Sequence, residues 1–93
     1  MVKVNLYATL RQMAGNKTVE IDVAEAATLR QLIASLAAHY PALRARLLDE
    51  NGEVQQHVHV FVNGRDMAFL PSKIDTVIKP DDAVNIFPPV GGG

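Results

Sequence analysis

The sequence predicts an α+β fold, a mixed sheet with one main helix packed on one face and an extended glycine tail. Three features carry that prediction. Four stretches show period-two hydrophobic alternation, one apolar stripe at helical spacing has its own start and stop signals, and a glycine run follows two prolines. One helix for one sheet places the helix across a single face. The first and last strands are expected as near-parallel neighbours, with the chain threading through the middle of the sheet. A chain of 93 residues is one domain, expected over residues 1–87 with the tail over residues 88–93.

The first strand is expected over residues 2–8, where Val2, Val4, Leu6 and Ala8 alternate with Lys3, Asn5 and Tyr7. Residues 9–17 form the connection, opening in helix-friendly residues and closing on Gly15-Asn16, a turn signal. Residues 18–23 alternate again, and the short connection favours an antiparallel hairpin with the first strand. Thr28 with Gln31 three residues on is a capping box, and Leu29, Leu32, Ile33, Leu36, Ala37 and Tyr40 line one helical face. Pro41 stops this helix and stands in the first turn of a second, shorter one that carries Leu43, Leu47 and Leu48 and closes on Asn51-Gly52.

A third strand carries Val58, Val60 and Val62 against His57, His59 and Phe61, and Asn63-Gly64 turns the chain. Residues 65–80 read as irregular, with a short strand at Thr76-Val77-Ile78. Asp81-Asp82 marks another turn. Residues 83–87 form the last strand, with Val84 and Ile86 on one side and Asn85 and Phe87 on the other. By this alternation the outer sheet face carries Tyr7, Phe61 and Phe87. Scattered exposed aromatics are ordinary, but three on one face, with Phe87 at the base of the tail, read as a contact patch.

The tail is Phe87-Pro88-Pro89-Val90-Gly91-Gly92-Gly93, with the carboxylate of Gly93 expected to be free. Glycine has no Cβ, so a run of it passes through channels too narrow for other residues. Two prolines hold the preceding stretch extended. A stiff arm with a thin tip suits a carboxylate delivered into another protein's active site. The alternative is a frayed terminus.

Little else in the chain carries chemistry. Nine Lys+Arg against ten Asp+Glu give a net charge of −1, no footprint for nucleic acid or an anionic membrane. With no long apolar run and no charged-then-apolar leader, a cytoplasmic protein is expected. The absence of cysteine excludes disulfides, thiolate metal sites and a Cys nucleophile. His57 and His59 share a strand face but fall short of a ligand set, so solvent-facing histidines are the favoured reading. Asp81-Asp82 and Asp49-Glu50 read as solvated turns. Gly91–Gly93 is no phosphate loop, because no helix follows it. Arg11, at the end of the first loop, pairs with a partner's acid or decorates the surface. No nucleophile–base pair is evident, so the chain is not expected to be an enzyme in its own right.

Three stretches in register resemble one family from end to end. Leu6-Tyr7-Ala8-Thr9-Leu10-Arg11-Gln12-Met13-Ala14-Gly15, Val62-Asn63-Gly64, and the run from Asp81 to Gly93 resemble the opening motif, central turn and closing strand with tail of the MoaD-type sulfur carriers. Tyr7 stands where Phe is commoner, and Gly91 where Ala is commoner. The resemblance implies the ubiquitin-like β-grasp fold. It implies the small subunit of molybdopterin synthase, a carrier that binds no cofactor itself.

In that family an adenylating partner resembling ubiquitin-activating enzymes (MoeB-like) uses ATP-Mg to activate the final glycine, here Gly93. A sulfur donor then makes the thiocarboxylate. The tail enters the large synthase subunit (MoaE-like), where the sulfur passes to a pterin precursor. Gly91 and Gly92 are then the thin tip. Phe87, Pro88, Pro89 and Val90, with Phe61, Tyr7 and Arg11, are the partner-facing residues. The rival readings are a thiazole-type carrier of thiamin synthesis, a ubiquitin-like modifier joined to target lysines, and a plain interaction module. The Phe-Pro-Pro-Val arm and the chain length argue against the thiazole type.

Overall fold

The structure, a computed structural model, describes residues 1–88. Its strands are β1 (Val2–Leu6), β2 (Thr18–Ile21), β3 (His59–Val62), β4 (Arg65–Asp66) and β5 (Ala83–Phe87). Its α-helices are α1 (Thr9–Ala14), α2 (Leu29–His39) and α3 (Pro41–Leu47). The sheet order is β2-β1-β5-β3-β4. β1 and β5 are parallel and central, as expected, with Asn5 beside Asn85 and Leu6 beside Ile86. Every other pairing is antiparallel.

Alternation explains why this sheet has one dry face. Val2, Val4 and Leu6 of β1, Val19 and Ile21 of β2, Val60 and Val62 of β3, and Val84 and Ile86 of β5 all point to the same side and are buried. They meet the stripe of α2, where Leu29, Leu32, Ile33, Leu36 and Ala37 are buried, and Leu43 and Leu47 of α3. The expected capping box is formed: the Thr28 hydroxyl accepts from the Gln31 N–H, and the Gln31 side-chain oxygen accepts from the Thr28 N–H. Pro41 opens α3 as its first residue.

Four expectations need correction. β1 stops at Leu6 rather than running to residue 8, because Ala8 takes φ 54°, ψ −127° and breaks the extended run. β1 and β2 are antiparallel, as expected, but the connection at 9–17 is mostly a formed helix. Leu10, fully buried, anchors α1, and Gly15 ends it at φ 82° with its N–H donating to the Arg11 carbonyl at 2.9 Å. Arg11 therefore sits on an exposed helix, not at a loop end. The expected strand at 76–78 is an isolated bridge, Thr28 to Val77, held by Leu29 N–H to Thr76 O and Ile78 N–H to Ala27 O, both 2.8 Å. The fourth strand is instead β4, followed by single 3-10 turns at Met67–Phe69 and Lys73–Asp75.

The Asn63-Gly64 turn is as read. Val62 pairs with Arg65 around it, and both turn residues have positive φ, 51° and 83°. That is the two-residue hairpin whose twist matches its strands, and it asks for Asn-Gly. Asn63 also clamps the start of β5: its N–H donates to Ala83 O, and its side-chain oxygen accepts from the Ala83 N–H, each at 2.8 Å.

Candidate functional site

The outer sheet face gathers the aromatics at the end of β5. Continuing the parallel register one residue beyond Leu6 sets Tyr7 beside Phe87. Their rings stack at 4.2 Å with planes 12° apart. Phe61 meets Phe87 edge-on, centroids 5.6 Å apart at 82°. The edge-on pair suits the ring quadrupole. The three rings, with His59, Gly64 and Asn85, line a shallow depression of about 500 Å³. The expected patch is thus assembled, though its rings are half-buried against one another rather than freely exposed.

A polar chain runs alongside the rings. The Thr18 hydroxyl donates to Asn5 Oδ1 at 2.7 Å, Asn5 Nδ2 donates to Asn85 Oδ1 at 2.9 Å, and the Tyr7 hydroxyl donates to the same oxygen at 3.0 Å. Sequence reading passed over Asn85. Its signal was present, since alternation in Val84-Asn85-Ile86-Phe87 puts Asn85 and Phe87 on one face.

The remaining candidates divide. Arg11 does not line the depression. Pro88, half-buried, continues from β5. Pro89, Val90, Gly91, Gly92 and Gly93 lie outside the described residues. His59 reaches the depression, and His57 is exposed just before β3. Among the described residues no group of three or more His, Asp or Glu is placed to hold a metal ion. Asp82 braces two turns, since its carboxylate oxygens accept from Asn63 Nδ2 at 2.9 Å and from the Lys79 N–H at 2.8 Å. Asp49 likewise accepts from the N–H groups of Asn51 and Glu53 in its own turn.

Away from the site, Arg30 of α2 pairs with Asp75 at 3.1 Å and with Glu53. The Asp75 bond first, and the Glu53 bond second, raise its guanidinium above an already high value. The pairs are surface-exposed and worth little on their own. They tie two loops to α2. Among the described residues no helix is long and apolar enough to cross a membrane.

A mixed five-stranded sheet gripping α2, with its first and last strands parallel at the centre, defines a ubiquitin-like β-grasp protein. The ThiS family matches residues 4–93, and the chain belongs to that family, of MoaD/ThiS ubiquitin-like proteins. It is 39% identical over 92 residues to small archaeal modifier protein 3 of Haloferax volcanii, covering 99% of this chain and 98% of the relative. The crystal structure of the modifier SAMP1 from Haloferax volcanii is similar at a TM-score of 0.86. Identity is 32%, with 99% of this chain and 98% of the other covered. A structure from Pyrococcus furiosus, named as a candidate molybdopterin converting factor subunit 1, is similar at a TM-score of 0.75 and 32% identity. It covers 96% of this chain and 97% of the other.

Proposed function

We propose that this chain is a sulfur carrier, the small subunit of a molybdopterin synthase, whose Gly93 carboxylate carries the sulfur. The observation that carries the reading is the aromatic face formed at the root of the Phe-Pro-Pro-Val arm, in a chain whose family match runs through Gly93. A partner that must receive a narrow tail needs a surface that fixes the body beside its channel, and the depression around Phe87 is such a surface.

The chemistry follows from the carboxylate's weakness as an electrophile. In the ATP-Mg site of an adenylating enzyme, an oxygen of Gly93 attacks the α-phosphorus and pyrophosphate leaves. A donor bringing sulfur at the oxidation level of sulfide attacks the acyl carbon, and AMP departs. The resulting thiocarboxylate is a competent nucleophile toward a pterin precursor held by the large synthase subunit. The body acts as a co-substrate, with no catalytic group of its own, in the cytoplasm where those partners work. Activation by a cognate adenylating enzyme, followed by mass analysis of the C-terminal peptide, tests this. The expected product shows oxygen replaced by sulfur at Gly93, and a peptide that stays unchanged defeats the reading.

The 39% identity to a small archaeal modifier protein favours a second reading on the same chemistry. There the acyl-adenylate ends on a target lysine instead of on sulfur. Covalent ladders in cells that vanish when Gly93 is removed support this outcome, and co-purification with a large synthase subunit supports the first.

A further inference from the structure

The outer face of β5 holds a group that the tail chemistry leaves unexplained. Asn85 sits at its middle, beside Asn5 of β1 in the parallel register and beside Phe61 of β3 in the antiparallel one. Its Oδ1 accepts two hydrogen bonds, from Asn5 Nδ2 at 2.9 Å and from the Tyr7 hydroxyl at 3.0 Å. A carbonyl oxygen offers two lone pairs, and both are engaged. Asn5 is fixed in turn by the Thr18 hydroxyl at 2.7 Å.

Tyr7 needs that anchor. It lies past the end of β1, outside the strand ladder, and the next residue adopts φ 54°, ψ −127°, a conformation that costs a residue with a Cβ. Two contacts hold its side chain: the stack on Phe87 and the hydroxyl bond to Asn85. Phe87 is the last residue of β5, and Pro88 follows directly. A swing of the Tyr7 ring would strip Phe87 of one of its two aromatic walls at the place where the chain leaves the sheet.

We propose that Asn85 is a positioning residue: by holding the Tyr7 hydroxyl it fixes the Tyr7–Phe87 stack, and so sets the surface a partner meets at the end of β5. The inference rests on the tail-presentation reading. It assigns Asn85 an effect carried through Tyr7 rather than by contact with the transferred group.

Three variants of the full chain test it. Tyr7→Phe keeps the ring and removes the hydroxyl bond, Asn85→Ala removes both bonds, and Asn85→Asp keeps an oxygen that accepts from both donors. The first readout needs no partner: the ring-proton shifts of Phe87, and those of Tyr7 where it is kept. Asn85→Ala and Tyr7→Phe should both move the Phe87 ring signals, and Asn85→Asp should restore the wild-type pattern. The second readout is ATP-dependent activation. The apparent KM for the carrier should rise about fivefold to tenfold for Asn85→Ala, the scale of one or two lost hydrogen bonds, with kcat within about twofold. Ring signals that match wild type in Asn85→Ala overturn the inference, whatever happens to its melting temperature. An unchanged KM also overturns it while leaving the carrier reading intact. Failure of the wild-type chain to be activated removes the carrier reading, and the ring signals still decide whether Asn85 orients the stack.

Discussion

The two faces of β5 divide one strand between two roles. Val84 and Ile86 are fully buried against the helices, while Asn85 and Phe87 stand half-buried among polar and aromatic neighbours on the other side. The backbone ladder is common to both, so the difference lies wholly in what each side chain touches. The inner residues exclude water and hold the fold. The outer ones leave an open, largely apolar surface at the end of β5.

Several substitutions probe that contrast. Removing Gly93 should have the largest effect of all: complete loss of activation by the adenylating partner, with the melting temperature unchanged. A shortened chain that still accepts sulfur would separate the tail from the function. Next, Ile86→Ala empties a fully buried site and should destabilise the protein by about 2–5 kcal/mol in denaturant titrations. Its folded fraction should still bind partners normally.

On the opposite face, Phe87→Ala should invert the pattern. Loss of a ring from an interface centre is worth about 2 kcal/mol or more of partner affinity. The two ring pairings of Phe87, with Tyr7 and Phe61, are each worth about 0.5–1.5 kcal/mol of stability beyond the area buried. A large fall in melting with unchanged affinity would make Phe87 a core residue in effect. The smallest change belongs to the bend after Tyr7. Ala8→Gly relieves a positive φ at residue 8 but loosens the unfolded chain, so calorimetry should record a gain below about 1 kcal/mol. A loss would mean that the Ala8 methyl makes a contact worth more than its strain.

Local rules carried much of this structure. The Thr28 capping box, the Pro41 stop and start, the Asn63-Gly64 hairpin and the inward Val-Ile alternation of β5 each rest on a handful of adjacent residues. Each stands where local chemistry put it. The misreadings came where packing overrode local pattern. The stretch 9–17 read as a connection because its helix is too short for a full stripe. One residue, Leu10, reaching the core is enough to fold it. Thr76-Val77-Ile78 has strand-like composition but finds only Thr28 as a partner, so it remains a bridge.

For the site, alternation alone placed Tyr7, Phe61 and Phe87 on the outer face. Composition was enough to rule out thiol chemistry and to single out the Pro-Pro-Val-Gly run as the chemically distinctive segment. These are matters of residue content and of neighbours a few bonds apart. The folded arrangement was required to show that Tyr7 stacks on Phe87 while its hydroxyl reaches Asn85, and that Arg11 stays clear of the depression. Tyr7 and Asn85 are 78 positions apart. Their meeting depends on strand order and register, which the core fixes through contacts that no short stretch of chain contains.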